Sequence, residues 1–269
     1  MTESKLIKHN LTDHINKKEL YYRNVIQPQE CGASNKSKLI KQMHDYRTNF
    51  LPILYNIIEF KGEILELGAG TCWFGSELSR LPSTNKIYCL DMSEYFMKET
   101  APYVMEQLGA ETGKITRVIG DFNKLEFEDE KFDYVVCDAT LHHIPIDNLR
   151  RVLDEMRRVL KSNGKLIAIR ESFLSSNPLF NNFHRRKFGS HEKTYGVIEN
   201  IFTIQEWKNL LKNPGFEPHY IKSYFMPYSY QADAMSYLKN LVKGLINHSF
   251  LKFPFFYFCP SYIILLEKI

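Results

Sequence analysis

One stretch constrains this chain more than any other: Glu63-Ile64-Leu65-Glu66-Leu67-Gly68-Ala69-Gly70-Thr71-Cys72-Trp73-Phe74-Gly75. A short apolar run carrying an acidic residue is followed by two glycines that open a helical pattern. That order predicts a buried strand whose carboxyl end turns sharply into a helix. Gly68 and Gly70 allow backbone angles closed to other residues, and without a Cβ they let a ligand approach the main chain. Such a loop holds a nucleotide cofactor. The dinucleotide fingerprint G-x-G-x-x-G wants a third glycine where helix and strand pack closely beside a pyrophosphate. Counting from Gly68, that position is Trp73, the bulkiest residue available. Glu66 would also repel a pyrophosphate. Dinucleotides are therefore a poor match.

The segment resembles motif I of the class I S-adenosylmethionine-dependent methyltransferases, E/D-x-G-x-G-x-G. Glu66, Gly68 and Gly70 match, and Cys72 stands in place of the last glycine. The resemblance implies S-adenosylmethionine as cofactor, with Glu66 suited to a ligand that carries a sulfonium and an ammonium. Later segments extend the likeness. Lys86 to Leu90 reads as a second strand ending in Asp91, about 20 residues past the glycines, where an acid accepts hydrogen bonds from ribose hydroxyls. Ile115 to Ile119 reads as a third strand entering Gly120-Asp121-Phe122. Phe132 to Cys137 reads as a fourth, entering Asp138-Ala139-Thr140-Leu141-His142-His143, a run typical of the family's small-molecule branch. By resemblance, Asp91 holds the ribose diol, Met92 and Ser93 flank the adenosine, Asp121 receives the adenine amino group and Phe122 packs on the ring. Ala69, Gly120, Asp138 and Ala139 complete the implied cofactor contacts.

Strand–helix alternation from residue 61 to about 170 predicts an α/β fold with a parallel sheet covered on both faces. The family pattern implies a Rossmann-like, seven-stranded, mostly parallel sheet whose last strand, Tyr262 to Glu267, is antiparallel. Residues 1–60 read as a helical N-terminal cap and 61–269 as the methyltransferase domain. Arg150 to Lys161 has an apolar face of Val152, Leu153, Met156, Val159 and Leu160, with Asn163-Gly164 as a left-handed stop. Thr203 and Glu206 form a capping box for a helix to Leu211, and a sixth strand is predicted around 219–225. Insertions are expected after strands five and six: a segment without period, 171–201, and an amphipathic helix, 231–248.

With 269 residues and a formal net charge of +4, the chain permits an anionic substrate without demanding nucleic acid. Arg150, Arg151, Arg157, Arg158 and Lys161 alternate with Asp154 and Glu155, as on a solvated helix face. Asp138 is followed by Ala-Thr-Leu, so the D/N-P-P-Y signature of nucleobase amino methylation is absent. The five cysteines are scattered without a C-x-x-C pair, which fits a reducing, cytoplasmic setting. Phe250 to Leu266 is apolar but broken by Lys252, Pro254 and Pro260, too short to span a bilayer of ~30 Å. A weak membrane contact and a homodimer stay open as partners.

Methyl transfer from a sulfonium asks the protein mainly to align the acceptor and exclude water. An alcohol acceptor also needs a proton removed, for which His is suited near neutral pH. His142 and His143 follow strand four, at the carboxyl edge where open α/β sheets bind ligands. His184, His191 and Glu171 fall in the segment that lines the acceptor pocket in the family. Arg170, Arg185 and Arg186 are candidates for an anionic acceptor. No two of these groups have ligand spacing on a shared helix face, so no metal is expected. The expected function is O-methylation of a small or medium acceptor, such as a sugar, nucleotide-sugar or phosphorylated metabolite. Methylation of RNA or protein, and a non-catalytic cofactor-binding protein, are the alternatives.

Overall fold

The computed structural model describes residues 3–30, 33–171, 174, 190–212, 215–224 and 261–269. Its strands are β1 (Lys5–Lys8), β2 (Gly62–Leu67), β3 (Thr84–Asp91), β4 (Ile115–Ile119), β5 (Phe132–Asp138), β6 (Leu160–Glu171), β7 (Phe216–Tyr224) and β8 (Ser261–Lys268). They form one sheet in the order β1-β4-β3-β2-β5-β6-β8-β7. Pairing is parallel from β1 through β6, and β8 runs antiparallel to both β6 and β7. The chain steps outward from β2 to β3 and β4, then returns to lay β5 and β6 on the other side of β2. That reversal opens a crevice between the carboxyl ends of β2 and β5.

Alternation along the central strands explains the layers. Ile64, Ile87, Cys89, Tyr134 and Val136 point into one core with Tyr46, Phe50, Phe74 and Leu78. Leu65, Leu67, Leu90, Val135 and Cys137 point into the other, with Leu149, Val152, Leu153, Met156 and Trp207. Both faces are therefore apolar and both are covered, as a parallel sheet requires. Helices α3 (Ala33–Asn49), α4 (Leu51–Tyr55), α5 (Trp73–Ser79) and α6 (Ala101–Leu108) cover the first face, and α7 (Ile146–Val159) packs on the second. In α7 the buried positions Leu149, Val152, Leu153, Met156 and Val159 recur at helical spacing. The helix ends earlier than expected, at Val159 with Leu160 extended, so Asn163 (φ 60°) is not its stop but a left-handed residue within β6. The Thr203–Glu206 capping box opens the helix Ile204–Leu210 and seats Trp207 in the second core.

Among the described residues the sheet has eight strands where seven were expected. The additional strand is β1, in the region read as wholly helical. Lys5-Leu6-Ile7-Lys8 is mostly exposed and too short to show a period. What makes it a strand is tertiary pairing, from Lys5↔Thr116 to Lys8↔Ile119 along the edge of β4. Buried Arg117 pins the entry by donating from Nε to Ser4 Oγ (2.8 Å) and from Nη2 to Ser4 O (3.0 Å). After β1 the chain crosses back over the carboxyl ends of the strands through α1 (Lys17–Tyr21), a wider turn at Tyr22–Ile26 and α2 (Gln27–Glu30). The predicted helix 231–248 lies outside the described residues, as does most of 171–201. Among the described residues no helix is long and apolar enough to cross a membrane.

Candidate active site

A cavity of about 290 Å³ runs over the carboxyl ends of β2 to β6. Its floor is the glycine loop. Gly68 (φ +68°) lies so close to β5 that a Cβ would sit 2.4 Å from the Thr140 side chain, whereas a Cβ on Gly70 would meet nothing within 4 Å. The first glycine lets two loops touch, and the second leaves room for a ligand. Gly70 N donates to Asp91 Oδ2 and Ser93 N to Asp91 Oδ1, both at 2.8 Å. Burial pushes the Asp91 carboxyl up. Each oxygen retains acceptor capacity, as a vicinal diol would need.

Of the residues assigned to the cofactor from sequence, Gly68, Ala69, Gly70, Asp91, Met92, Asp121, Phe122, Asp138 and Ala139 line the cavity. Glu66 and Gly120 are not among its lining residues. Glu66 turns beneath the loop, 1% exposed, and its Oε2 accepts from Gly75 N at 3.0 Å. Burial pushes this carboxyl up to about 8, so at neutral pH it is a neutral support of the strand–helix junction. The expectation that it faces a cationic ligand is corrected on that ground. Gly120 packs with its Cα side towards Leu90. The Asp138 carboxylate is held by the Arg170 guanidinium and by Trp73 Nε1. Arg170 also stacks over the rings of Tyr46 and Trp73. Its charge is thus matched by Asp138.

The other end of the cavity is built from three distant segments. Leu141–His143 forms a single 3₁₀ turn after β5. Glu171, fully buried at the end of β6, accepts from Thr140 N and Leu141 N (both 2.9 Å) through Oε1. Its Oε2 accepts from His142 N (3.2 Å) and His142 Nδ1 (2.7 Å). Burial disfavours a charged His142, but Glu171 and Glu199 outweigh it and hold its pKa above the usual value. His143 is the histidine of this pair that lines the cavity. Its Nδ1 lies 2.9 Å from Ile198 O and its Nε2 3.1 Å from Arg23 Nη2. A carbonyl only accepts and a guanidinium only donates, so Nδ1 carries the hydrogen and Nε2 the lone pair. Burial, the charge on His142 and Arg23 push His143 well below the usual pKa, in keeping with a neutral ring.

Glu199 Oε1 lies 3.3 Å from His143 Nδ1 and Glu19 Oε1 lies 4.0 Å from it. Burial lifts Glu19 to about 7 against the pull of Arg23. Ligand atoms of His142, His143 and Glu199 fall within 4.8 Å of one another, although no shared helix face brings them together. His191 sits in a short helix, Ser190–Thr194, against Tyr195, and does not line the cavity. His184, Arg185 and Arg186 lie outside the described residues. Sequence reasoning passed over Glu19, Arg23 and Asn123, all close to this cavity. Nothing in a local pattern marks Glu19 or Arg23, because only the crossing of the N-terminal segment brings them here.

The sheet order, the glycine loop and the fixed acid at the end of β3 define a Rossmann-like domain for a nucleoside-bearing cofactor. Residues 65–168 match a family described as a methyltransferase domain. The chain is 26% identical over 229 residues to a sterol 24-C-methyltransferase of Clavispora lusitaniae, covering 80% of this chain and 58% of that enzyme. It therefore spans less than two thirds of that relative. A demethylmenaquinone methyltransferase of Staphylococcus saprophyticus is 27% identical over 188 residues, covering 62% of this chain and 77% of that protein. A solved methyltransferase of Methanosarcina mazei, described as S-adenosylmethionine-dependent, shares the fold at a TM-score of 0.57 and 19% identity, covering 81% of this chain and 97% of that one. These matches support a class I S-adenosylmethionine-dependent methyltransferase with S-adenosylmethionine as its cofactor.

Proposed function

We propose that the protein methylates a small or medium-sized acceptor at oxygen, with His143 taking the acceptor's proton. The observation that carries this reading is the state of His143: a neutral imidazole that lines the cofactor cavity, its tautomer set by Ile198 O. When bound, S-adenosylmethionine supplies an activated methyl group. Gly70 leaves room for it and Asp91 offers acceptors for its ribose. Ile15, Gln27, Gln42, Met43 and Ile144 mix apolar and amide groups around the remaining space, a lining suited to a polyhydroxylated or phosphorylated metabolite. An acceptor hydroxyl at His143 Nε2 would displace Arg23, leaving that guanidinium to meet an anionic substituent. Glu199 and Glu19 then face the imidazolium that proton transfer creates.

The sterol 24-C-methyltransferase relatives favour a second reading, transfer to carbon, in which the same histidine removes a proton from the methylated centre. Incubation with methyl-labelled cofactor and fractionated extracts tests the class: label is expected in small molecules, and label confined to RNA or protein would refute the reading. The ¹³C shift of the product's new methyl group separates a methoxy from a carbon-bound methyl. His143→Gln should lower kcat by about 10²–10⁴ while S-adenosylhomocysteine still binds within about threefold of wild type.

A further inference from the structure

Glu199 stands between the two histidines of the turn. Its Oε1 lies 3.3 Å from His143 Nδ1 and its Oε2 lies 3.8 Å from His142 Nε2. The other ring nitrogen of His142, Nδ1, is 2.7 Å from Glu171 Oε2, so carboxylates flank this ring on both sides. They favour its imidazolium form. The centroids of the His142 and His143 rings are only 4.2 Å apart. If His143 kept the proton it removes, two imidazolium rings would face each other at that distance, largely shielded from water. Like charges so placed repel strongly.

The Nδ1 hydrogen of His143 has two oxygens near it. Ile198 O is at 2.9 Å and Glu199 Oε1 at 3.3 Å. A carbonyl accepts a hydrogen bond without taking the proton, whereas a carboxylate can do both. Glu19 Oε1 is farther away, at 4.0 Å, and lies 3.4 Å from Arg23 Nη2. Burial pushes the Glu199 carboxyl up and Glu192 acts in the same sense, while His142, Arg23 and Lys193 pull it down without cancelling the rise. Burial, His142 and Arg23 push His143 the other way, opposed by its bond to Ile198 O. Both effects move the proton's preferred seat from the ring towards the carboxylate. In a Ser-His-Asp triad the carboxylate stays ionised; the second imidazolium beside His143 makes this arrangement different.

We propose that Glu199 is the second member of a proton relay, taking the Nδ1 proton of His143 as Nε2 takes the proton of the acceptor. The proposal rests on the reading of His143 as the base. The acceptor's O–H bond breaks and its hydrogen passes to Nε2. The oxygen's electron pair forms the bond to the methyl carbon, and the carbon–sulfur bond breaks with its pair going to sulfur. The Nδ1–H bond breaks in turn, and that hydrogen passes to Glu199 Oε1. The sulfonium and carboxylate charges disappear together, and His143 stays neutral with its hydrogen on Nε2. Once the product leaves, Nε2 gives its hydrogen to water and Glu199 returns its own to Nδ1. That restores the tautomer selected by Ile198 O and Arg23.

Glu199→Gln keeps the shape of the side chain but cannot take a proton. Turnover is measured with methyl-labelled cofactor and a saturating small-molecule fraction of an extract. It should fall by about tenfold to a hundredfold, while S-adenosylhomocysteine binds within about threefold of wild type. In wild type, turnover should decline as pH drops through the Glu199 pKa, above the ordinary 4.5, because a protonated carboxyl accepts nothing. In Glu199→Gln this acid limb should move to lower pH, where His143 itself protonates. A loss of less than about threefold, or a larger loss that keeps the wild-type limb, would overturn the relay. The wild-type protein answers the same question at equilibrium. With ¹³C-labelled glutamate carboxyls and ¹⁵N-labelled histidine rings in the S-adenosylhomocysteine complex, lowering the pH should protonate Glu199 before His143. The reverse order would also overturn the proposal. Intact turnover in His143→Gln would instead remove the base on which the relay stands.

Discussion

The two ends of the cavity are assembled in different ways. At the cofactor end, Gly68, Gly70, Asp91 and Asp121 each sit at or just past the end of a strand, so local sequence places them. At the acceptor end, His143 depends on Ile198, Glu199, Glu171 and Arg23, which are far apart in sequence and meet only in the folded chain. The first end is held mostly by backbone turns and the second by buried side-chain charge. The contrast predicts different responses to substitution.

The largest effect should come from Glu171. Removing its carboxylate in Glu171→Ala leaves three buried backbone amides and the His142 ring without their acceptor. A loss of about 3–5 kcal/mol is expected in denaturant unfolding, together with loss of activity. A loss below about 1 kcal/mol would show that the histidine turn stands without this anchor, and would weaken the contrast.

At the cofactor end, Gly68→Ala should act on binding. The new Cβ meets Thr140 at 2.4 Å in a backbone conformation with φ +68°. Strain of about 1–3 kcal/mol should weaken S-adenosylhomocysteine by about tenfold or more in calorimetry. Gly70→Ala, with open space around the new Cβ, should instead report on contact with the ligand itself. Equal effects on the free protein's stability from both substitutions would contradict this division.

Glu19 tests whether the acceptor end is electrostatically stressed. Its carboxyl has a pKa of about 7 in the folded protein, above the ordinary value of 4.5. A raised carboxyl contributes stability fully below its unfolded pKa, and that contribution is lost as pH rises through the folded value. The loss therefore falls between about pH 4.5 and 7. Glu19→Gln should match wild type near pH 4.5 and exceed it at pH 8 by roughly 1–2 kcal/mol. Parallel stability curves for the two proteins across that range would rule out the stress.

What was legible from sequence follows the same division. The glycine loop, the acid closing β3 and most of the apolar face of α7 are local patterns present at the expected residues, although α7 runs from Ile146 to Val159 and Leu160 belongs to β6. The capping box Thr203–Glu206 is equally local and forms as read. β1 was missed because Lys5–Lys8 buries little and owes its shape to the β4 edge. Arg23 was missed because its place depends on where the N-terminal segment crosses the sheet.

Glu66 gives the smallest expected effect on ligand affinity and the sharpest check on the cofactor end. If it met the ligand's positive charge, Glu66→Gln would weaken S-adenosylhomocysteine, and S-adenosylmethionine still more. The structure instead buries it beneath the loop, where Oε2 accepts from Gly75 N and the carboxyl is protonated up to about pH 8. Glutamine is close in shape to a protonated glutamic acid and preserves a carbonyl for Gly75 N. Affinity for both ligands at pH 7 should then stay within about threefold of wild type, which is less than ~0.7 kcal/mol. Between about pH 4.5 and 8 the wild type should lose stability relative to the variant, because burial holds the folded carboxyl above its ordinary value, and above pH 8 the variant keeps that advantage. A selective loss of S-adenosylmethionine affinity at pH 7 would place Glu66 back in contact with the ligand's charge.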